Sequence, residues 1–371
     1  MDSPGDRSLA ASKIIVPFTP ISSVMTRRLR SSALRFNHDL YWRPNHCIEA
    51  ARPTRPPAAW ARIGGFQRRS PSNRRVAGVK CFLSQDEGCC VKEASWSYVA
   101  ATPCESVLPW GCGFGGFSEH ASRPIHRLEL PIAAAVIVLC CGEPITLQPA
   151  LRPGAATRSS AFFVGLQGQA QCVSHAGSND CIEIHVSPQA AYALFGGAIA
   201  APNREPLSLL DAAPQPIGML LEQLRATSEW EYRFAAVNQF LAKGLAASKR
   251  RIPPELTWAW QTLDRSHGQV SIRALAGAIG WSERHLISQF RAYFGVRPKQ
   301  AARRLRFSRA LNMISADPVG GLSAMAAQAG FSDQSHMTRE FQSFSGVSPG
   351  VLRTARFDHL PGIPATVLLN R

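Results

Sequence analysis

One helical unit occurs twice near the carboxy-terminal end of the chain, with the same punctuation both times. In the first copy the sequence predicts a helix over residues 272–279, a turn at Gly280-Trp281-Ser282 and a second helix over residues 283–294. In the second copy it predicts a helix over residues 322–329, a turn at Gly330-Phe331-Ser332 and a second helix over residues 333–344. Each turn pairs a glycine, which stops one helix, with a serine expected to cap the next. Each following helix places apolar residues four apart, Leu286 and Phe290 in one and Met337 and Phe341 in the other, so one stripe is committed to a core. The copies also end alike, in Phe294-Gly295-Val296-Arg297-Pro298 and Phe344-Ser345-Gly346-Val347-Ser348-Pro349. Between them a basic helix over residues 299–314 carries Arg303, Arg304, Arg306 and Arg309. Two helix-turn-helix units joined by a connecting helix are the simplest fold for such a pattern.

Charge agrees with that placement once it is divided along the chain. The 371 residues have a formal net charge of +16, enough to suggest a polyanionic partner. Residues 1–95 hold 16 basic and 7 acidic side chains, residues 96–252 hold 11 of each, and residues 253–356 hold 13 and 6. The positive ends thus enclose a neutral middle. The amino-terminal end is rich in Arg, Ser and Pro without helical or strand period, and residues 1–116 are expected to be mostly disordered.

Short strands are expected from residue 117 onward, at residues 126–130, 133–140, 145–147, 160–165 and 181–186. A short helix follows at residues 188–195, then amphipathic segments over residues 207–211, 217–226 and 229–246. Residues 117–247 read as an α+β, strand-rich middle domain, residues 253–356 as the all-α double helix-turn-helix domain, and residues 357–371 as a tail. All ten cysteines precede residue 182, and none is spaced as C-x-x-C, which argues against a zinc ribbon. The longest apolar run, residues 131–141, is too short for a membrane span of about 20 residues. A cytoplasmic protein is expected. Glu183 and His185 share one strand face, with His120, His126 and His175 in the same region, so an acid–base or metal site can be drawn there. Within residues 117–247 no H-x-H, H-E-x-x-H, G-x-S-x-G or phosphate-binding glycine loop accompanies them, and the face reads as solvated. No catalytic residue, metal site or cofactor is expected, and the chain is not read as an enzyme.

The stretch Met325–Pro349, through Gly330-Phe331-Ser332 to Val347-Ser348-Pro349, resembles the DNA-binding domain of the AraC/XylS family of transcriptional regulators; residues 275–298 resemble its looser first half. Residues from 117 onward, with Arg127-Leu-Glu-Leu-Pro131, are similar to the amino-terminal domain of one subgroup. The resemblance implies a sequence-specific regulator of double-stranded DNA. Its middle domain would sense a small molecule, form a homodimer, or do both, and RNA polymerase would be a further partner. With Leu286, Phe290, Met337 and Phe341 turned inward, Arg284, Ile287, Ser288 and Arg291 of one helix face outward, as do Gln334, Ser335, Thr338 and Arg339 of the other. By resemblance these are the groove-facing residues, Arg284, Ser288, Ser335 and Arg339 foremost. Ser288 stands where many relatives carry a longer polar side chain. Arg303, Arg304 and Arg306 read as a solvated face, and Arg304 is carried as the expected phosphate contact. A DNA-modifying or repair enzyme, or an architectural DNA binder carrying the same module, is the rival reading.

Overall fold

Alternation of buried and exposed positions builds the middle domain as two antiparallel sheets. The computed structural model describes residues 73–76, 79–87, 94–152, 154–166, 168–197, 206–355 and 362–370. Of the disorder expected over residues 1–116, residues 1–72, 77–78 and 88–93 lie outside the described residues, while residues 73–76, 79–87 and 94–116 hold strands and correct the expectation. The larger sheet has eight strands, labelled in chain order: β1 (Asn73–Val76), β2 (Val79–Glu87), β3 (Ala94–Ala101), β4 (Cys112–Ala121), β6 (Ala135–Cys140), β9 (Ala161–Val164), β11 (Ser178–Val186) and β12 (Leu207–Ser208). They are ordered β1-β2-β3-β4-β11-β6-β9-β12. The smaller sheet, ordered β5-β10-β7-β8, holds β5 (Ile125–Glu129), β7 (Ile145–Pro149), β8 (Thr157–Ser159) and β10 (Gln171–His175).

Which face each residue takes follows from the two-residue period of a strand. On β11, Ile182, Ile184 and Val186 point to one side and join a core with the helices α1 (Pro188–Phe195), α2 (Leu209–Ala212), α3 (Pro214–Arg225) and α4 (Trp230–Ala247). Cys181 points to the other side and packs with Phe117, Val138 and Phe162 of its own sheet and Ile125, Ile145, Leu147 and Val173 of the smaller one. The sheets therefore share an inner core. Burial pushes the Cys140 thiol there up to about 12, so it stays protonated and serves as a small packing residue.

Two expectations for this domain need correction. It does not begin at residue 117: β3 and β4 extend it on the amino-terminal side, in register from Ala94↔Ala121 to Ala101↔Phe114. The glycines that make β4 look like a loop are close-packing positions, because a Cβ at Gly115 would meet the Tyr98 ring and one at Gly116 the Trp230 ring. Nor is the Glu183 and His185 face solvated. Both side chains are buried, because the smaller sheet covers that face of β11.

The carboxy-terminal domain has helices α5 (Pro254–Arg265), α6 (Ile272–Ala278), α7 (Glu283–Phe294), α8 (Pro298–Ala316), α9 (Leu322–Ala329), α10 (Gln334–Ser345) and α11 (Pro349–Thr354). Its two units have separate cores. Leu275, Leu286, Phe290 and Phe294 close the first around Trp260 of α5, and Met325, Phe331, Met337 and Phe341 close the second around Phe307 of α8. Both cores reach into the middle domain, since Leu166 joins the first while Leu128, Leu130 and Ala170 join the second.

Candidate nucleic-acid interface

Local rules position α7 and α10. Gly280 ends the stretch after α6 with φ +71, and the Ser282 hydroxyl then accepts the His285 N–H at 3.2 Å to start α7. In the second unit Gly330 takes the left-handed conformation with φ +87, but the cap is Asp333, not Ser332. Its carboxylate accepts the His336 N–H at 2.6 Å, and that bond holds it below the usual carboxylate range. A carboxylate is the stronger acceptor at the positive end of a helix, and Ser332 instead donates to it at 3.2 Å. Left-handed Gly295 and Gly346 close α7 and α10 in the same way.

The inward stripe is buried as expected, with Leu286, Phe290, Met337 and Phe341 fully enclosed. Arg284, Ile287, Ser288 and Arg291 are exposed on α7, and Gln334, Ser335 and Arg339 are exposed on α10. Ile287 is a large apolar side chain left 36% exposed among polar neighbours. Thr338 is half-buried and turned along its own helix, where its hydroxyl donates to the Gln334 carbonyl at 2.9 Å. The corresponding positions of the two units thus present matching surfaces, Arg284 and Ser288 on one and Ser335 and Arg339 on the other.

Arg304 leaves this set. Its side chain is buried, at 7% exposure, and its Nη2 donates to the Gly168 carbonyl of the middle domain at 2.6 Å. The connecting helix is not a solvated basic face. Arg303 pairs with Glu340 of α10 at 2.8 Å, and Arg306 donates to the Gly268 carbonyl ahead of α6. Three arginines that look free in the sequence fasten α8 to both units and to the middle domain, so they are spent on geometry.

A second polar cluster, of which sequence marks Glu183, His185 and His175 but not Glu119 or Arg127, lies inside the middle domain. Between the sheets, Glu119 of β4 is fully buried and forms an ion pair with Arg127 of β5, while His175 of β10 meets the same carboxylate at 3.1 Å. Glu183 and His185 of β11 lie on this interior side, with Asn179 opposite Glu119 and Gln171 opposite Glu129 in register. Desolvation lowers Arg127 to about 10 despite Glu129, Cys181 and Glu183 nearby, and lowers His175 to about 3, Arg127 and His126 assisting. Burial pushes the Glu183 carboxyl well above its usual range, with Arg127 opposing. Glu119 Oε1, Gln171 Oε1 and Asn179 Oδ1 have no hydrogen-bond partner among the described residues. Buried acceptors of this kind destabilise a dry core unless something donates to them. Their sequence signal was the alternation Arg127-Leu-Glu and Gln171-Cys-Val-Ser-His, in which the polar set faces inward.

The chain matches the family model of a helix-turn-helix domain over residues 275–355. No curated protein matches it. Similar solved structures include ToxT from Vibrio cholerae, 13% identical over 65% of this chain and 96% of that one, with a TM-score of 0.38. Unsaturated fatty acid bound ToxT from the same organism is 11% identical, over 62% and 94%, with a TM-score of 0.38. The AraC-like transcriptional activator CuxR is 14% identical, over 63% and 86%, with a TM-score of 0.22.

Proposed function

Since residues 275–355 make up an AraC-type helix-turn-helix domain, we propose that the chain is a sequence-specific transcriptional regulator that reads two segments of one DNA face. The observation that carries this is the matched exposure of Arg284 and Ser288 on α7 and of Ser335 and Arg339 on α10. An arginine at such a position reads guanine through two parallel hydrogen bonds, and each contact contributes roughly 1–3 kcal/mol of discrimination. Two units on one helical spacer suit successive major-groove faces, separated by about one helical turn.

The middle domain is read as the sensor. Among the described residues, the buried cluster around Arg127 and Glu119 holds both a donor, Arg127 Nε, and acceptors without hydrogen-bond partners, a set that suits a small polar effector with hydroxyl or amino groups. Homodimer formation and contact with RNA polymerase belong to the same reading, as does a cytoplasmic location. No helix among the described residues is long and apolar enough to cross a membrane.

Gel-shift titration of the full chain against promoter fragments, at several salt concentrations, tests the proposal. Tight binding to some fragments and weak, strongly salt-dependent binding to the rest is the expected result. Equal affinity for every fragment overturns it and favours the architectural binder.

A further inference from the structure

Residues past the last helix of the DNA-binding domain return to the sensor and pair with it. The strand β5 is an edge of the smaller sheet, with β10 on one side only. Its other side is met by the carboxy-terminal segment: Arg127 and Pro364 form an antiparallel bridge, and the Leu128 N–H donates to the Ile363 carbonyl at 3.1 Å. Pro364 has no N–H to give, so the pairing stays short. Side chains do the rest of the holding. Ile363 and Val367 are buried in the core of the second helix-turn-helix unit with Phe307, Phe341 and Leu352, whereas Ala365 between them is buried in the inner core of the sensor with Ile125 and Phe117. Within five residues, three side chains thus contribute to two cores that belong to different domains.

The docking leaves the DNA-reading surface open. The sensor touches α7 near its carboxy-terminal end, where the rings of Tyr192 and Tyr293 lie 4.9 Å apart, and Arg284 and Ser288 at the opposite end stay exposed. On the second unit Gln334, Ser335 and Arg339 are likewise exposed while Ile363 and Val367 sit in its core. We propose that residues 363–367 are a strap that couples the sensor to the second helix-turn-helix unit and holds that unit in a DNA-competent orientation. Strap and duplex then stabilise the same arrangement of the two domains, and a change in the sensor interior around Arg127 reaches α10 through Ala365. The DNA part of this inference rests on the regulator reading above; the coupling part does not.

Ala365→Asp separates coupling from simple packing, because Ala365 belongs to the sensor core and not to that of the second unit. Ala365→Ser is the milder companion in case the aspartate variant fails to fold. Hydrogen exchange of the full chain is followed in β5, α7 and α10, and affinity is measured for a duplex that the wild-type chain selects from a randomised pool. Exchange is expected to quicken in β5 and also in α10, with α7 little changed. Affinity is expected to fall about fivefold or more, the size of a modest coupling between linked sites. Faster exchange confined to β5, or an affinity that is unchanged or higher, overturns the strap. If no duplex is enriched by the wild-type chain, the regulator reading fails, and the exchange of α10 alone decides the coupling.

Discussion

Arg304 and Arg339 are both arginines on helices of the DNA-binding domain, yet they do different work. Arg339 is exposed on α10, whereas Arg304 donates to the carbonyl of Gly168 across the domain boundary. Arg339→Ala is expected to remove roughly 1–3 kcal/mol of preference at one base pair, seen as relaxed selection at that position only. Arg304→Met is expected to leave the salt dependence of DNA binding unchanged, because no phosphate contact is lost, and to lower the melting temperature by stranding a buried carbonyl. A reduced salt slope for Arg304→Met would return it to the phosphate contacts. Inside the middle domain, Glu183 has a folded-state pKa raised above its unfolded value, so the folded chain holds a proton there that the unfolded chain has given up. Stability from this group is present below the unfolded pKa and is lost as pH rises from there toward the folded one. Glu183→Gln is therefore expected to melt higher than wild type at about pH 8, with the gap closing near about pH 4. His175 acts in the opposite sense, since its pKa of about 3 means that acid below the usual histidine range favours the unfolded chain. A gap that stays constant from acid to alkaline pH would contradict the burial of the Glu183 carboxyl.

At the scale of elements, stability should divide along the two helix-turn-helix cores. Phe290 and Phe341 are fully buried, one in each core, and replacing either by alanine is expected to cost about 3–5 kcal/mol. Hydrogen exchange should then rise in α6 and α7 for Phe290→Ala, and in α9 and α10 for Phe341→Ala. Equal loss in both units from either change would show a single cooperative core instead. These helices were legible in sequence because glycine, a capping side chain or proline marks their ends and a four-residue apolar stripe marks the inside. The predicted helix over residues 283–294 is α7 as observed. The strands were less legible, for physical reasons. β4 hides behind Gly115 and Gly116, which make room for Tyr98 and Trp230, and β10 turns Gln171 and His175 toward an interior where a local reading expects apolar residues. The candidate interface was legible on α7 and α10, where periodicity alone decides what faces out. It was not legible on α8, because the partner of Arg304 lies 136 residues away and no local pattern announces it.

The whole molecule is layered, with helices α1–α4 on the larger sheet, the smaller sheet on its other side, the second helix-turn-helix unit against the outer side of the smaller sheet, and the first unit against α1 and Leu166. Contacts cross every boundary: Leu166 enters the core of the first unit, Leu128 and Leu130 enter that of the second, and the Ala133 N–H donates to the Ser308 hydroxyl at 2.9 Å. On the reading proposed above, a middle domain set against both units is well placed to bias how they meet a duplex. The positive charge of residues 253–356 is divided by this arrangement: Arg303, Arg304 and Arg306 on α8 are tied to protein partners, while Arg284 and Arg291 on α7 and Arg339 on α10 are exposed. On the proposed reading, α7 and α10 each contact a separate stretch of one DNA face. Selection from a randomised duplex pool, run in parallel with wild type, Arg284→Ala and Arg339→Ala, tests it most directly. Wild type should enrich two blocks of preferred bases centred about 10 base pairs apart, with each variant losing preference in a different block. Loss in the same block by both variants, or no enrichment by the wild-type chain, would contradict it.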